Sequence, residues 1–139
     1  RRRDILMDKN ELIKLATDAR KLSYSPYSNF KVGAAVLCKN GEAFVGSNVE
    51  NAAYGLCMCA ERNALYNAMM HGMKKDDFVM FAVVADTDTP CSPCGSCRQV
   101  LDELYPAEAP IYMANLKGDV KETNNKELLP FSFGKDDLE

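Results

Sequence analysis

Apolar side chains recur along the chain with two different periods, and each change of period marks a new element. From Asp8 to Leu22 they recur every three or four residues, which is typical of one face of an α-helix. Asp8 and Glu11 have the spacing of a capping box, and Ser25–Pro26 ends the helical pattern. We therefore predict a first helix over residues 8–22.

The period becomes two at Phe30, and alternate residues as far as Cys38 share one apolar face. Asn40–Gly41 follows directly, a pair that strongly favours a tight hairpin turn. The pattern predicts a second strand over residues 44–49, antiparallel to the first. Cys38 lies on the alternating face, so we interpret it as a packing residue.

The rest of the pattern predicts three helices and three strands. These are a helix over 57–71, a strand over 78–85 that is apolar throughout, a helix over 94–104, strands over 111–115 and 120–123, and a short helix over 126–129. The order predicts an α/β fold, a three-layer α/β/α sandwich around a mixed five-stranded sheet. Residues 1–139 are interpreted as a single domain, with residues 1–7 expected to be a disordered or non-native start.

Composition restricts the classes of partner that this domain is expected to bind. Hydrophobic residues make up 47% of the chain and charged residues 27%, as in ordinary soluble proteins. A formal net charge of −3 gives no positive surface for nucleic acid or an anionic membrane, so neither is expected as a partner. Six cysteines without a recognisable secretory signal favour thiols or metal ligands over disulfides, and a cytoplasmic location is the default.

Two short segments carry the candidate chemistry, Cys59-Ala60-Glu61 and Pro93-Cys94-Gly95-Ser96-Cys97. Cys94 and Cys97 are three residues apart at a predicted helix start, so their thiols project from one face of the first turn. Cys59 falls in the first turn of the preceding helix, and helix N-termini lower the pKa of thiols. Three thiolates are a suitable zinc site with one coordination position open to solvent.

Glu61 lies two residues after Cys59, near enough to reach the metal site without serving as a ligand. A Cys-x-Glu segment together with Pro-Cys-x-x-Cys is the known signature of zinc deaminases. Glu61 then acts as the catalytic acid and base, moving a proton from water to a ring nitrogen and on to the leaving amine. Arg62 is expected to draw negative charge away from the sulfurs.

Two other kinds of site, a redox dithiol and a structural zinc site, fit part of the same cysteine pattern. Cys94-x-x-Cys97 alone is also typical of a dithiol redox protein, although Cys59-Ala60-Glu61 favours the deaminase interpretation. A closed structural zinc site would need Cys57 or Cys91 as a fourth ligand. Cys57 has an unsuitable helical direction relative to Cys59, and Cys91 precedes the proline that opens the helix.

Several motifs in the right order make the chain resemble the small, three-cysteine, homotetrameric cytidine deaminases from about Asp8 to Leu138. They are Pro26-Tyr27-Ser28-x-Phe30-x-Val32-Gly33-Ala34-Ala35, Gly46-x-Asn48-x-Glu50-Asn51-Ala52-x-Tyr54, Cys59-Ala60-Glu61-Arg62, Ser92-Pro93-Cys94-Gly95-x-Cys97-Arg98-Gln99-Val100 and Glu127-Leu128-Leu129-Pro130. The resemblance implies Zn²⁺ as cofactor. It also implies hydrolysis of cytidine and 2′-deoxycytidine to uridine and 2′-deoxyuridine with release of ammonia, in pyrimidine salvage. A related deaminase of another aminopyrimidine nucleoside is the nearest alternative.

The resemblance also implies a role for individual residues. Cys59, Cys94 and Cys97 match the zinc ligands and Glu61 the proton shuttle. The residues that match substrate contacts are Asn48 and Glu50 at the ribose 3′-hydroxyl, Phe30 on the pyrimidine, and the Ala60 backbone at the polar edge of the base. Tyr54 and Phe133 match residues that reach the site of a neighbouring subunit in a homotetramer, with Phe131 competing for the second role. Core packing for Phe30, and interface packing for Tyr54 and the tail aromatics, are the simpler interpretations.

Overall fold

The protein, described here by a computed structural model over residues 7–139, is built on one mixed sheet. Its strands are β1 Val32–Cys38, β2 Ala43–Ser47, β3 Phe78–Ala85, β4 Ile111–Asn115 and β5 Val120–Thr123. They lie in the order β2-β1-β3-β4-β5, with β3 and β4 parallel and the other neighbours antiparallel. The predicted mixed five-stranded sheet is confirmed. Six residues of the expected disordered or non-native start, 1–6, lie outside the described part of the chain.

Four α-helices accompany the sheet in the predicted order. The first three are somewhat shorter than predicted, and the fourth has the predicted length but begins one residue earlier. They are α1 Lys9–Ala19, α2 Ala60–Met70, α3 Gly95–Leu104 and α4 Asn125–Leu128, with single 3₁₀ turns at Arg20–Leu22, Tyr54–Leu56, Lys75–Asp77 and Lys135–Leu138. The predicted capping box is present at α1. Asp8 Oδ1 accepts from Glu11 N, and Glu11 Oε1 accepts from Asp8 N, both at 2.9 Å.

Helices cover both faces of the sheet, so the three layers are confirmed. One face packs against α1, and its core contains Leu12, Ala16, Leu37, Ala82 and Val84. The opposite face packs against α2 and α3, and its core contains Val36, Ala64, Leu65, Phe81, Val83 and Leu101. Among residues 7–139, no helix combines the length and apolar character that crossing a membrane requires.

The first strand is shorter than its apolar alternation predicts. It begins at Val32, so Phe30 lies on the preceding loop, because Asn29 adopts a left-handed backbone (φ 57°). The carbonyl of Phe30 then accepts a hydrogen bond from the Asn48 side chain at 2.8 Å. The second strand likewise ends at Ser47, not Val49. Phe30 and Asn48 therefore meet on loops at the end of the sheet.

Glycine at position 46 lets α2 lie unusually close to β2. A Cβ added to Gly46 would lie 2.2 Å from the backbone nitrogen of Ala64 and 2.6 Å from the carbonyl oxygen of Ala60. Neither backbone atom can move without displacing the whole helix. This contact fixes the position of the α2 N-terminus, where Cys59 lies.

Candidate active site

Three cysteine thiols converge between the N-termini of α2 and α3. Cys59 is the N-cap of α2, Cys94 is the N-cap of α3, and Cys97 lies in the first turn of α3. Their Sγ atoms all lie within 4.8 Å of one another, and the Sγ atoms of Cys59 and Cys94 are 3.8 Å apart. A tetrahedral zinc with Zn–S bonds of ~2.3 Å places its sulfurs ~3.8 Å apart. The cluster therefore fits a zinc ion.

The helix starts differ slightly from the predicted ones. Cys59 and Cys94 were expected inside their helices, but each is the N-cap residue just before the first helical position. An N-cap side chain usually accepts a hydrogen bond from the first helical turn. Neither sulfur makes such a bond. Both thiols are consequently directed to the cluster instead of to their own helices.

The remaining cysteines and the histidine do not join the cluster. Within residues 7–139 the metal-competent group consists of Cys59, Cys94 and Cys97 alone. Cys57 Sγ accepts a hydrogen bond from the backbone nitrogen of Asn51 at 3.3 Å. His71 caps the far end of α2, where its Nδ1 lies 2.8 Å from the carbonyl oxygen of Asn67. The described residues thus form no closed four-cysteine site.

Hydrogen bonding within the cluster stabilises the thiolate form of Cys59 even without a metal. A hydrogen bond from the Cys97 thiol, together with one from Arg62, lowers the pKa of Cys59 to about 5. The same contact with Cys59 raises the pKa of Cys97. Arg62 Nη2 donates to Cys59 Sγ at 3.3 Å, which brings the predicted positive charge against the sulfur. A metal binding here would displace the remaining thiol protons.

Glu61 lies beside the cluster without belonging to it. It is the second residue of α2, and only 5% of its surface is exposed. The pKa of its carboxyl group is raised to about 7, chiefly by burial and to a smaller degree by the Cys59 thiolate, while a backbone hydrogen bond and Arg62 oppose the shift. A carboxyl group with a pKa near neutrality can both accept and donate a proton.

A cavity of about 190 Å³ opens above the cluster. Its lining consists of Phe30, Val32, Asn48, Cys59, Ala60, Glu61, Cys91, Ser92 and Cys94. The structure therefore brings together Phe30, Asn48, Ala60 and Glu61, which sequence reasoning placed at one site. Sequence reasoning missed Cys91 and Ser92 as lining residues. Their position directly before Pro93–Cys94 was the available signal.

The Asn48 side chain organises one wall of this cavity. Its Oδ1 accepts from the backbone nitrogen of Val32 at 2.9 Å and from Ser23 Oγ at 2.7 Å, while Nδ2 donates to the Phe30 carbonyl. An amide group has two N–H donors, so one remains for a ligand. Asn48 thus holds Phe30 in place, besides the sugar contact that the resemblance implies.

Glu50 holds the adjoining loop and does not line the cavity. Its Oε1 accepts from the backbone nitrogens of Tyr27 and Ser28 at 3.0 and 3.1 Å, and its Oε2 accepts from the Ser28 hydroxyl. The hydrogen bonds from Ser28 and Tyr27 hold the pKa of Glu50 below its ordinary value. A sugar contact by Glu50 stays a prediction.

Tyr54 and Phe133 lie outside the cavity of their own chain. Tyr54 is 75% exposed and packs edge-on against Tyr27, with 6.4 Å between ring centroids. Phe133 is 60% exposed, and its carbonyl accepts from Gln99 Nε2 at 2.7 Å. Phe131 is exposed over its whole side chain. The single chain gives none of the three a contact with the cluster.

Comparison with known proteins agrees with this geometry. Residues 7–113 match the family model of the cytidine and deoxycytidylate deaminase zinc-binding region. The chain belongs to this family. It is 52% identical to a cytidine deaminase from Halalkalibacterium halodurans over 132 residues, covering 95% of this chain and 98% of that protein. A cytidine deaminase from Sporosarcina psychrophila is 48% identical over 132 residues, covering 95% and 96%.

Solved structures of the family share the fold. The crystal structure of a cytidine deaminase from Burkholderia pseudomallei is 48% identical in sequence, with a TM-score of 0.89. The similarity covers 91% of this chain and 100% of that one. The predicted fold class and the membership of the cytidine deaminase family are both confirmed.

Proposed function

We propose that this protein is a zinc-dependent deaminase that hydrolyses cytidine and 2′-deoxycytidine to uridine and 2′-deoxyuridine with release of ammonia. The observation that carries the proposal is the convergence of three thiols, two of which line a small cavity, beside a buried carboxyl group that is not part of the cluster. Family membership and the names of the relatives support cytidine as the substrate.

Cys59, Cys94 and Cys97 would hold the zinc ion. When bound, zinc supplies Lewis acidity and makes water nucleophilic near neutral pH. Three thiolates leave a divalent ion with a net negative charge, which weakens that effect. Arg62 offsets part of this charge through its hydrogen bond to Cys59.

Glu61 moves the protons of the reaction. It accepts one from the attacking water and delivers it to the pyrimidine ring nitrogen. Protonation of the ring makes the amine-bearing carbon more electrophilic, so the water oxygen adds there as a hydroxyl group. Glu61 then carries the hydroxyl proton to the amine, the C–N bond breaks and ammonia leaves, while the ring nitrogen keeps the first proton. Water supplies the oxygen and the protons, and no oxidant or reductant is needed.

The other predicted contacts place the nucleoside. Phe30 packs against the pyrimidine, and the Ala60 backbone binds the polar edge of the base. The free N–H of Asn48 and the Glu50 carboxylate bind the ribose hydroxyl. The support is that Phe30, Asn48 and Ala60 line the same cavity, although Glu50 is not one of its lining residues.

The proposal includes one domain per chain over residues 1–139 and assembly of the chains into a homotetramer. It also includes a cytoplasmic location and a role in pyrimidine salvage. In such an assembly Tyr54 and Phe133 complete neighbouring sites. Their exposure in the single chain supports this role, since aromatic side chains are enriched at protein–protein interfaces.

One experiment tests the function. Zinc is measured by elemental analysis of the purified protein, and ammonia release is measured with cytidine, 2′-deoxycytidine, free cytosine and other aminopyrimidine nucleosides. We expect stoichiometric zinc and rapid release from the first two, with cytosine slow because it lacks the sugar contacts. A protein that contains zinc but releases no ammonia would contradict the proposed deaminase activity. A zinc-free protein with a reversible Cys94–Cys97 disulfide would instead indicate a dithiol redox protein.

A further inference from the structure

The guanidinium group of Arg98 connects two segments that are far apart in sequence. Its Nε donates to the Pro93 carbonyl at 2.8 Å, and its Nη2 donates to Ser92 Oγ at 2.6 Å. Its Nη1 donates to the Leu128 carbonyl at 2.9 Å. Three different donors of one side chain are thus used on three different acceptors.

The first two acceptors belong to the segment Ser92–Cys94, whose first and last residues line the cavity. Ser92 lines it, and Pro93 is fully buried and directly precedes Cys94. Proline has no N–H group, so the backbone at this point is anchored through its carbonyl. The backbone nitrogen of Arg98 also donates to the Cys94 carbonyl at 2.9 Å. Arg98 therefore contacts three consecutive residues that end at a metal-competent thiol.

The third acceptor belongs to the C-terminal segment. Leu128 is the last residue of α4, and the exposed aromatics Phe131 and Phe133 follow it. Gln99, the residue after Arg98, donates to the Phe133 carbonyl at 2.7 Å. Two consecutive residues of α3 consequently hold both ends of residues 128–133.

We propose that Arg98 is a positioning residue. It fixes the Ser92–Cys94 wall, and with it the Cys94 thiol, to the C-terminal segment that begins at Leu128. The inference rests on the proposed function and assigns this wall to the same site. A planar guanidinium satisfies three acceptors in fixed directions, whereas a lysine ammonium on a flexible chain does not.

The main test compares Arg98→Lys and Arg98→Met with the parent. Three quantities are measured: amide hydrogen exchange over residues 91–97 and 129–134, the rate of zinc release to a chelator, and kcat and KM with cytidine. We expect faster exchange in both segments, ~10-fold or more faster zinc release, and a kcat that falls more than KM rises. Arg98→Lys keeps the charge and should show the milder form.

Two matched variants separate positioning from general stability. Gln99→Leu should speed exchange over 129–134 only and leave zinc release unchanged. Arg20→Lys serves as the arginine control, because Arg20 Nε also donates to a backbone carbonyl, that of Lys31, which belongs to neither the Ser92–Cys94 wall nor the C-terminal segment. It should leave exchange over residues 91–97 at the parent rate.

A double-mutant cycle with Ser92→Ala tests the route of the effect. If Arg98 acts through this wall, the effects of Arg98→Lys and Ser92→Ala on zinc release should combine less than additively. Additive effects would contradict the proposal. The proposal would also be contradicted if Arg98→Lys exchanged its amides and released zinc at the rates of the parent. A uniform rise in amide exchange over the whole chain would contradict it as well. If the parent released no ammonia, the proposed function would fail, while amide exchange would still decide the role of Arg98.

Discussion

Two parts of the candidate site are held in place by different forces. The metal corner consists of Cys59, Glu61, Cys94 and Cys97, whose positions are set by α2 and α3 packing on the sheet. The rim consists of the loop residues Phe30 and Asn48, together with the adjoining loop that Glu50 holds in place. These residues are held by hydrogen bonds between side chains and backbone. One such bond contributes about 1 kcal/mol to the stability of the fold.

Because of this difference, the two parts of the site should respond differently to substitution. Loss of a ligand or a shift of a whole helix removes the geometry of the metal corner at once. Loss of one hydrogen bond at the rim leaves others in place, so the result is graded. Changes at the corner should therefore abolish metal binding or turnover, and changes at the rim should weaken substrate binding.

The largest effect is expected from Cys97→Ser compared with Cys91→Ala. Cys97 belongs to the cluster, so its loss should strip the protein of zinc and of activity. Cys91 lines the cavity outside the cluster, and burial raises the pKa of its thiol to about 11. Cys91→Ala should therefore retain zinc on elemental analysis. Equal loss of zinc in both variants would mean that the cluster is wrongly assigned.

Glu61→Gln should preserve zinc and lower turnover by a factor of ~10²–10⁴, because an amide cannot relay the proton. Ammonia release and zinc content are measured on the same preparation. Glu42→Gln, on the exposed hairpin turn, is the control and should behave as the parent. Parental turnover in Glu61→Gln would remove this residue from the mechanism.

Gly46→Ala tests whether helix packing sets the metal corner. The added Cβ meets the backbone of α2, so the free energy of unfolding should fall by ~1–3 kcal/mol or more, with weaker zinc binding. A Cβ at Gly55 meets nothing within 4 Å, so Gly55→Ala should unfold like the parent. Denaturant titrations measure both. Parental stability and zinc binding in Gly46→Ala would refute the packing argument.

Asn48→Ala and Asn48→Asp should act on the rim. Alanine removes all three side-chain hydrogen bonds, while aspartate keeps the acceptor for Val32 and Ser23 and loses the donor to Phe30. We expect KM for cytidine to rise in both, more in Asn48→Ala, with zinc content unchanged. Loss of zinc with an unaltered KM would contradict the division between corner and rim.

The smallest effect concerns pH and Glu50. Its folded pKa lies below that of an unfolded glutamate, ~4.3. The ionised group therefore stabilises the fold above that value, and the contribution is lost as the pH falls through the folded pKa. The parent should be slightly more stable than Glu50→Gln at neutral pH. Denaturant midpoints should converge in acid, and a constant difference would contradict this account.

Local patterns were sufficient for the elements and for the key chemistry. Periodicity predicted the order of helices and strands, and Asn40–Gly41 predicted the hairpin, which forms with Gly41 at φ 92°. Short motifs singled out the cysteine cluster and Glu61. Each helix, hairpin and short motif depends on residues within a few positions of one another, so the sequence alone carries it. The meeting of Cys59 with Cys94 and Cys97 depends in addition on how α2 and α3 pack on the sheet.

Tertiary structure decided how the site is held. The left-handed turn at Asn29 takes Phe30 off the strand face that its alternation predicts. The Asn48 clamp, the Cys91–Ser92 wall and the Arg98 link to Leu128 are each made between segments distant in sequence. Such contacts depend on which loops the sheet brings together, and no local period records that.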